Sequence, residues 1–244
     1  MKSIVYHLGL TPPPLLDTYH FEISYYPLLK VEYESSNAPK DISDILKQNP
    51  IIMMMSKNAV IGLEKWISFY NLDNEFFAGA DFWTVGERTH TCLMNMLNIS
   101  SFYPDTMTGK GVINALQKQK NTKVLLICGK DPQQAFISGL SETGINFFHF
   151  PVYQISFSDN STFSTDIIDV NTNYLVVTSP TSVEGILKSL SLLSLKDLQI
   201  RIISIGPTTS DAIRNNGGTV FHESEIQDIN NLYDQLNSLI IKID

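Results

Sequence analysis

Hydroxyl-bearing residues recur along this 244-residue chain in the same company. Met53-Met54-Met55-Ser56-Lys57-Asn58-Ala59-Val60 is followed by Val85-Gly86-Glu87-Arg88-Thr89. Val176-Val177-Thr178-Ser179-Pro180-Thr181-Ser182-Val183 is followed by Ile205-Gly206-Pro207-Thr208-Thr209. In each copy an apolar run meets a serine, and a second apolar run meets Gly-x-x-Thr. A serine opening a helix accepts from first-turn N–H groups, so Ser56 and Ser179 read first as N-caps. At a strand end they would also face any ligand of a parallel sheet. The Gly86/Thr89 and Gly206/Thr209 corners gather backbone N–H groups and a hydroxyl, a set suited to a carboxylate or phosphate. Pro207 fits a first helical position, where its missing N–H is not needed. A tight strand-to-helix turn explains the same residues, and duplication accounts for the fold as readily as for function.

Tyr153 is the one candidate for proton chemistry. It lies within the aromatic stretch Phe148-His149-Phe150-Pro151-Val152-Tyr153-Gln154-Ile155-Ser156-Phe157. Core packing is the ordinary use of such a tyrosine, but facing a ligand its phenol could donate a proton or a hydrogen bond. Lys57, Arg88, Lys130 and Arg214 are the cations nearest the expected strand-to-helix corners, with solvated surface as their default.

These groups need elements to hold them. Strand patterns fall at 4–6, 51–55, 82–85, 124–128, 145–148, 174–178, 201–205 and 219–221. Apolar residues at three- and four-residue steps predict helices over 57–69, 88–97, 108–119, 132–142, 182–193, 208–215 and 226–240. Strand followed by helix, repeated, predicts parallel sheets with helices on both faces. The repeat predicts two doubly wound lobes and hence a cleft. Two extended aromatic stretches break the alternation, Tyr25–Tyr33 and Phe148–Phe157, each with a proline that suits an edge or crossing strand. Read as a two-stranded β connector (27–34 and 150–157), they make residues 1–30 plus 156–244 one discontinuous lobe and 35–149 the other. Read as plain edge strands, they belong to one sheet. Thr11-Pro12-Pro13-Pro14 leaves no room for a full helix after the first strand.

Composition narrows the field. At 43% hydrophobic and 17% charged the chain has material for real cores. Its apolar runs are strand-sized, so no membrane span and no signal-peptide core are expected, and the cytoplasm is the expected compartment. A net charge of -8 argues against a broad nucleic-acid footprint. Cys92 and Cys128 are far apart and expected reduced, and the five histidines show no metal-ligand spacing. No G-x-G-x-x-G, Walker, G-x-S-x-G, H-E-x-x-H or C-x-x-C pattern occurs. Gly109-Lys110-Gly111 has the wrong spacing for a phosphate loop.

From Pro27 onward the chain resembles the uroporphyrinogen-III synthase family. The resemblance is carried by Leu175 to Val183 with Ser204-Ile205-Gly206-Pro207-Thr208-Thr209, by Met55 to Val60 with Val85 to Thr89, by Val152-Tyr153, and by Val124–Gly129 followed by Leu140 and Gly144. It implies two α/β lobes joined by a two-stranded connector. It also implies cyclisation of hydroxymethylbilane to uroporphyrinogen III, with loss of water and inversion of the last ring through a spiro intermediate, and with no cofactor or metal. Tyr153 corresponds to the tyrosine that assists departure of the hydroxyl. Thr89, Ser179 and Thr209 correspond to positions holding acetate and propionate arms. Ser56, Lys57, Gly86, Gly129, Lys130, Pro180, Gly206, Pro207 and Thr208 complete the expected substrate site. Three features depart from the family pattern: Tyr6-His7-Leu8-Gly9 and the proline run at the start, Asn98 where a glycine is usual, and Lys130 where an arginine is common. A monomer acting on a small molecule is the expectation. The competing readings are a two-lobed binding protein without catalysis and a degenerate homologue of the synthase.

Overall fold

The computed structural model describes residues 2–35, 42–119, 123–158, 163 and 173–243. The remaining residues, including 36–41 and 120–122 of the expected 35–149 lobe and most of 159–172, lie outside the described residues. The chain divides into two units, Met1–Lys30 with Ser156–Asp244, and Val31–Ile155. These boundaries fall inside strands β3 (Leu29–Tyr33) and β7 (Asn146–Phe157).

The second unit is built on a five-stranded sheet, β3-β7-β6-β4-β5, with β4 at Ile51–Met54, β5 at Asp81–Thr84 and β6 at Lys123–Gly129. β4 pairs in parallel with β5 and β6, and β6 pairs in parallel with β7. β3 runs antiparallel to β7, because Glu34 N–H donates to the Val152 carbonyl and Ser158 N–H to that of Leu28. The central strands are buried on both faces, which is why Ile51–Met54 reads as an unbroken apolar run. One face packs on α2 (Lys57–Phe69) and α3 (Glu87–Leu97), through Ile52, Met54, Leu125 and Ile127 against Val60, Leu63, Trp66 and Leu93. The other packs on α4 (Gly109–Leu116) and α5 (Gln134–Glu142), through Met53, Leu126 and Cys128 against Val112, Leu116, Phe136 and Leu140. A short helix, α1 (Ile42–Leu46), precedes β4.

The first unit is an all-parallel sheet, β10-β9-β8-β1-β2, with β1 at Ile4–His7, β2 at Glu22–Tyr25, β8 at Tyr174–Val177, β9 at Arg201–Ser204 and β10 at Val220–Glu223. α6 (Pro180–Ser189) and α7 (Pro207–Asn215) cover one face and α8 (Ile229–Ile243) the other.

The two sheets are circular permutations of one pattern. β4 lies between β5 and β6 as β8 lies between β9 and β1. A parallel bridge from Trp83 to Phe102 extends the second sheet beyond β5, where β10 extends the first beyond β9. The helices α2, α3 and α4 begin at Lys57, Glu87 and Gly109, and α6, α7 and α8 at Pro180, Pro207 and Ile229. Thus the two strands that follow α4 in the second unit, β6 and β7, are matched by β1 and β2 at the start of the chain. The matching residues behave alike. His149 donates a ring N–H to the Gly129 carbonyl at 3.0 Å, and Tyr25 donates its hydroxyl to the Leu10 carbonyl at 3.1 Å.

The structure corrects three sequence expectations. The stretch Tyr25–Tyr33 is not one element: β2 ends at Tyr25 in the first sheet, and β3 starts at Leu29 in the second. The strand at 145–148 and the stretch after it are one twelve-residue strand, because Pro151 sits at an interruption of the β6 ladder where no donor is needed. The helix at 132–142 starts only at Gln134, past Pro132. Between β1 and β2 there is no helix among the described residues. Tyr19 and Phe21, stacked at 5.0 Å, instead pack on Tyr233 of α8 and cover that face of the sheet.

Candidate functional site

Ser56 and Ser179 cap their helices with nearly identical backbone, φ -157 and ψ 160 against φ -159 and ψ 156. Each hydroxyl oxygen accepts a first-turn N–H at 3.2 Å, from Ala59 and Ser182 respectively. The capping expectation is therefore met at both. The second partner differs. Ser179 Oγ meets Ser182 Oγ at 2.8 Å, whereas Ser56 Oγ meets the Tyr153 hydroxyl at 3.2 Å.

A bulge delivers Tyr153. Cys128 pairs with Pro151 but Gly129 pairs with Tyr153, so Val152 is skipped. Such an extra residue re-aims the side chains that follow. Val152 turns into the core against α2, where its closeness excludes any side chain at Gly62: a Cβ there would lie 2.8 Å from the Val152 carbonyl oxygen. The Tyr153 ring then lies over Gly129, where a Cβ would be 3.0 Å from the ring. The Lys130 N–H closes the corner by donating to the Tyr153 carbonyl at 2.8 Å. Burial holds the Tyr153 phenol above its ordinary pKa, opposed by the Ser56 hydrogen bond. The hydroxyl is thus protonated at neutral pH and able to donate. Tyr153, Ser56 and Gly129 meet at the carboxyl ends of β4 and β6, where successive connections leave the sheet in opposite directions, the usual ligand position in such sheets. Lys57 and Lys130 are exposed beside them.

The Gly-x-x-Thr corners have a further repeated part that the sequence reading missed. Two residues before each glycine a buried hydroxyl donates to the glycine carbonyl: Thr84 to Gly86 at 3.3 Å and Ser204 to Gly206 at 2.9 Å. The signal was present as Thr-Val-Gly and Ser-Ile-Gly. Thr84 also contacts Ser101, which bonds His90 Nδ1 at 2.9 Å. In both corners the threonine N–H is used within the turn, Thr89 donating to the Gly86 carbonyl and Thr209 to that of Gly206, each at 3.1 Å. At the second corner Gly206 N–H also goes to Ser204 Oγ, and Pro207 has no N–H. Thr89 and Thr209 are buried, while Pro180, Pro207 and Thr208 are exposed. Met107 lies over Gly86 and Gln227 over Gly206.

At the equivalent corner of the first sheet the side chains fill the space themselves. His7 is fully buried, donates from Nε2 to the Thr11 carbonyl at 2.9 Å, and accepts at Nδ1 from the Tyr233 hydroxyl at 2.9 Å. Burial pulls its pKa down to about 4, so the ring is neutral. Gly9 is packed against His7 and Thr178, leaving no room for a Cβ. Tyr153 has no counterpart here, since the equivalent β2–β3 segment supplies Leu28 and Leu29. Among the described residues no three His, Cys, Asp or Glu side chains converge as metal ligands, and no helix is long and apolar enough to cross a membrane.

Comparison with known proteins follows the same lines. A family described as uroporphyrinogen-III synthase HemD matches residues 14–234. A porphyrin biosynthesis protein HemD of Ruminiclostridium josui is 25% identical over 167 residues, which is 67% of this chain but 33% of that protein, so the match spans about a third of the relative's length. Among solved structures, a uroporphyrinogen-III synthetase from Helicobacter pylori superposes with a TM-score of 0.69 at 16% identity, covering 98% of this chain and 100% of that one. A mutant uroporphyrinogen III synthase from Thermus thermophilus gives 0.64 at 16% identity, covering 99% and 100%. At such identities the structures speak for the fold.

Proposed function

The chain belongs to the uroporphyrinogen-III synthase family, and from that premise we propose that it cyclises hydroxymethylbilane to uroporphyrinogen III, inverting the last pyrrole ring and releasing water. One observation carries the proposal: the protonated Tyr153 phenol, 3.2 Å from Ser56 Oγ, at the carboxyl ends of β4 and β6. Departure of the terminal hydroxyl as water takes one proton, which Tyr153 supplies. The unsubstituted pyrrole α-carbon that forms the final ring-closing bond then gives up its hydrogen as one proton. The sum is substrate to product plus water, with no oxidant or cofactor invoked. The remaining catalysis is positioning of a flexible chain of four pyrroles. Lys57 and Lys130 hold carboxylate arms beside Tyr153, with Gly86 and Thr89 forming the next corner. Ser179 and Pro180 serve a further arm, as do Gly206, Pro207, Thr208 and Thr209. β3 and β7 serve as the two-stranded connector. The protein acts as a cytoplasmic monomer on this small molecule, and its charge of -8 speaks against nucleic acid as a partner.

A second reading, a homologue that binds tetrapyrroles without turning them over, draws on the burial of Thr89 and Thr209 and on Met107 and Gln227 lying against the glycines. The test is to incubate the purified protein with freshly generated hydroxymethylbilane, oxidise, and separate uroporphyrin isomers I and III. Isomer III above the enzyme-free control supports the synthase; isomer I alone from folded protein supports the second reading.

A further inference from the structure

Tyr153 has a second phenol, Tyr33, as a neighbour. Glu34 N–H donates to the Val152 carbonyl, and Ser158 N–H to the Leu28 carbonyl. Both bonds place residues summing to the same index opposite one another, so β3 and β7 are in register without a bulge on this side. In an antiparallel ladder, a bond from residue i+1 to residue j-1 makes i and j the closely spaced, non-hydrogen-bonded pair. Here i is Tyr33 and j is Tyr153. The Cβ atoms of such a pair are about 5 Å apart and their side chains share a face. The next pair along the ladder behaves as this register requires, Gln154 Nε2 donating to Glu32 Oε2 at 2.8 Å.

The first turn of α2 holds both phenols. Ser56 partners Tyr153 at 3.2 Å, and Asn58 Oδ1 accepts from the Tyr33 hydroxyl at 3.3 Å. Lys65 of α2 sits 5.5 Å from the Tyr33 ring centre. Cys92 of α3 also acts on Tyr33, and Lys57 of α2 acts on Cys92. Burial first, and then the nearness of Tyr153 and Cys92, raise the Tyr33 phenol. Tyr33 is therefore protonated at neutral pH and able to donate.

Resting on the synthase reading above, we propose that Tyr33 is a positioning residue for Tyr153: a second phenol whose O–H turns from Asn58 to the Tyr153 oxygen as that oxygen loses its proton. No bond other than a hydrogen bond is made or broken at Tyr33. The proton given by Tyr153 leaves in the departing water, and Tyr153 recovers one from the pyrrole carbon after closure.

The test uses the full chain. Tyr33→Phe is expected to lower kcat about tenfold with KM unchanged, and to move the alkaline limb of the kcat–pH profile upward, because Tyr153 loses a donor that favours its anion. An unchanged kcat and limb, or a rise in KM alone, overturns the proposal. A readout independent of turnover uses 3-fluorotyrosine at position 33, followed by fluorine NMR against pH. The proposal expects its midpoint to fall when Tyr153→Phe is added, because the neighbouring charge is gone. A midpoint that stays in place overturns it, even if Tyr33→Phe fails to fold. Should the parent protein make no isomer III, the synthase reading fails while the fluorine titration still decides the phenol pair.

Discussion

Gly62 of α2 lies so close to β7 that a Cβ would fall 2.6 Å from Val152 Cγ2 and 2.8 Å from the Val152 carbonyl oxygen. Its counterpart Gly185 is looser, with Leu28 Cβ 3.3 Å from the same imagined atom. Gly62→Ala therefore forces the bulged strand away from the helix, which costs about 1–3 kcal/mol as an overpacking change. Gly185→Ala stays within about 1 kcal/mol of the parent, since alanine's helix propensity offsets a mild contact. Urea unfolding of the two variants measures the difference.

Ser56 and Ser179 cap equally but have unequal second partners. Each change to alanine is expected to lower stability by about 1 kcal/mol through loss of the cap. Ser56→Ala is also expected to lower kcat, because the phenol loses its hydrogen bond. The two serines are separated by comparing kcat at matched folded fraction.

Gly129 is close to the Tyr153 ring but adopts no left-handed backbone. Gly129→Ala should fold, with a modest loss of stability, and displace the ring by a few tenths of an ångström. Turnover is expected to fall by roughly 10-fold or more, following the sensitivity of catalysis to misplacement. A variant that is as active as the parent places the ring's exact position outside the chemistry.

His7 gives stability a pH dependence of known sign. Its folded pKa of about 4 lies below the ordinary 6.5, so the unfolded chain binds the extra proton between those values. Stability is whole above pH 6.5 and declines as pH falls toward 4, by an amount on the order of 3 kcal/mol at most. Urea midpoints across that window should fall less steeply for His7→Asn than for the parent, whatever that variant's overall stability.

The alternation of strands and helices was legible because the central strands are buried on both faces and so appear as apolar runs such as Ile51–Met54 and Val124–Cys128. The capping serines were legible because a cap is a local event. What could not be read were events set by neighbours distant in sequence. The bulge at Val152 depends on Gly129 and Gly62, and the split of Tyr25–Tyr33 depends on which sheet edge each half joins. The permutation was hidden because β1 and β2 precede the repeat that they complete. Thr84 and Ser204 were overlooked because a hydroxyl within a strand looks like ordinary strand composition until its acceptor, the glycine two residues on, is seen.

On the proposed reading the Tyr153 phenol, held by Ser56, drives departure of the hydroxyl. The decisive measurement is the rate of isomer III formation from fresh hydroxymethylbilane by Tyr153→Phe, beside the parent and at matched thermal stability. A loss of about 100-fold in kcat is expected, the lower end of the range for a lost general acid, with KM little changed. A Tyr153→Phe protein that forms isomer III at the parental rate would contradict it.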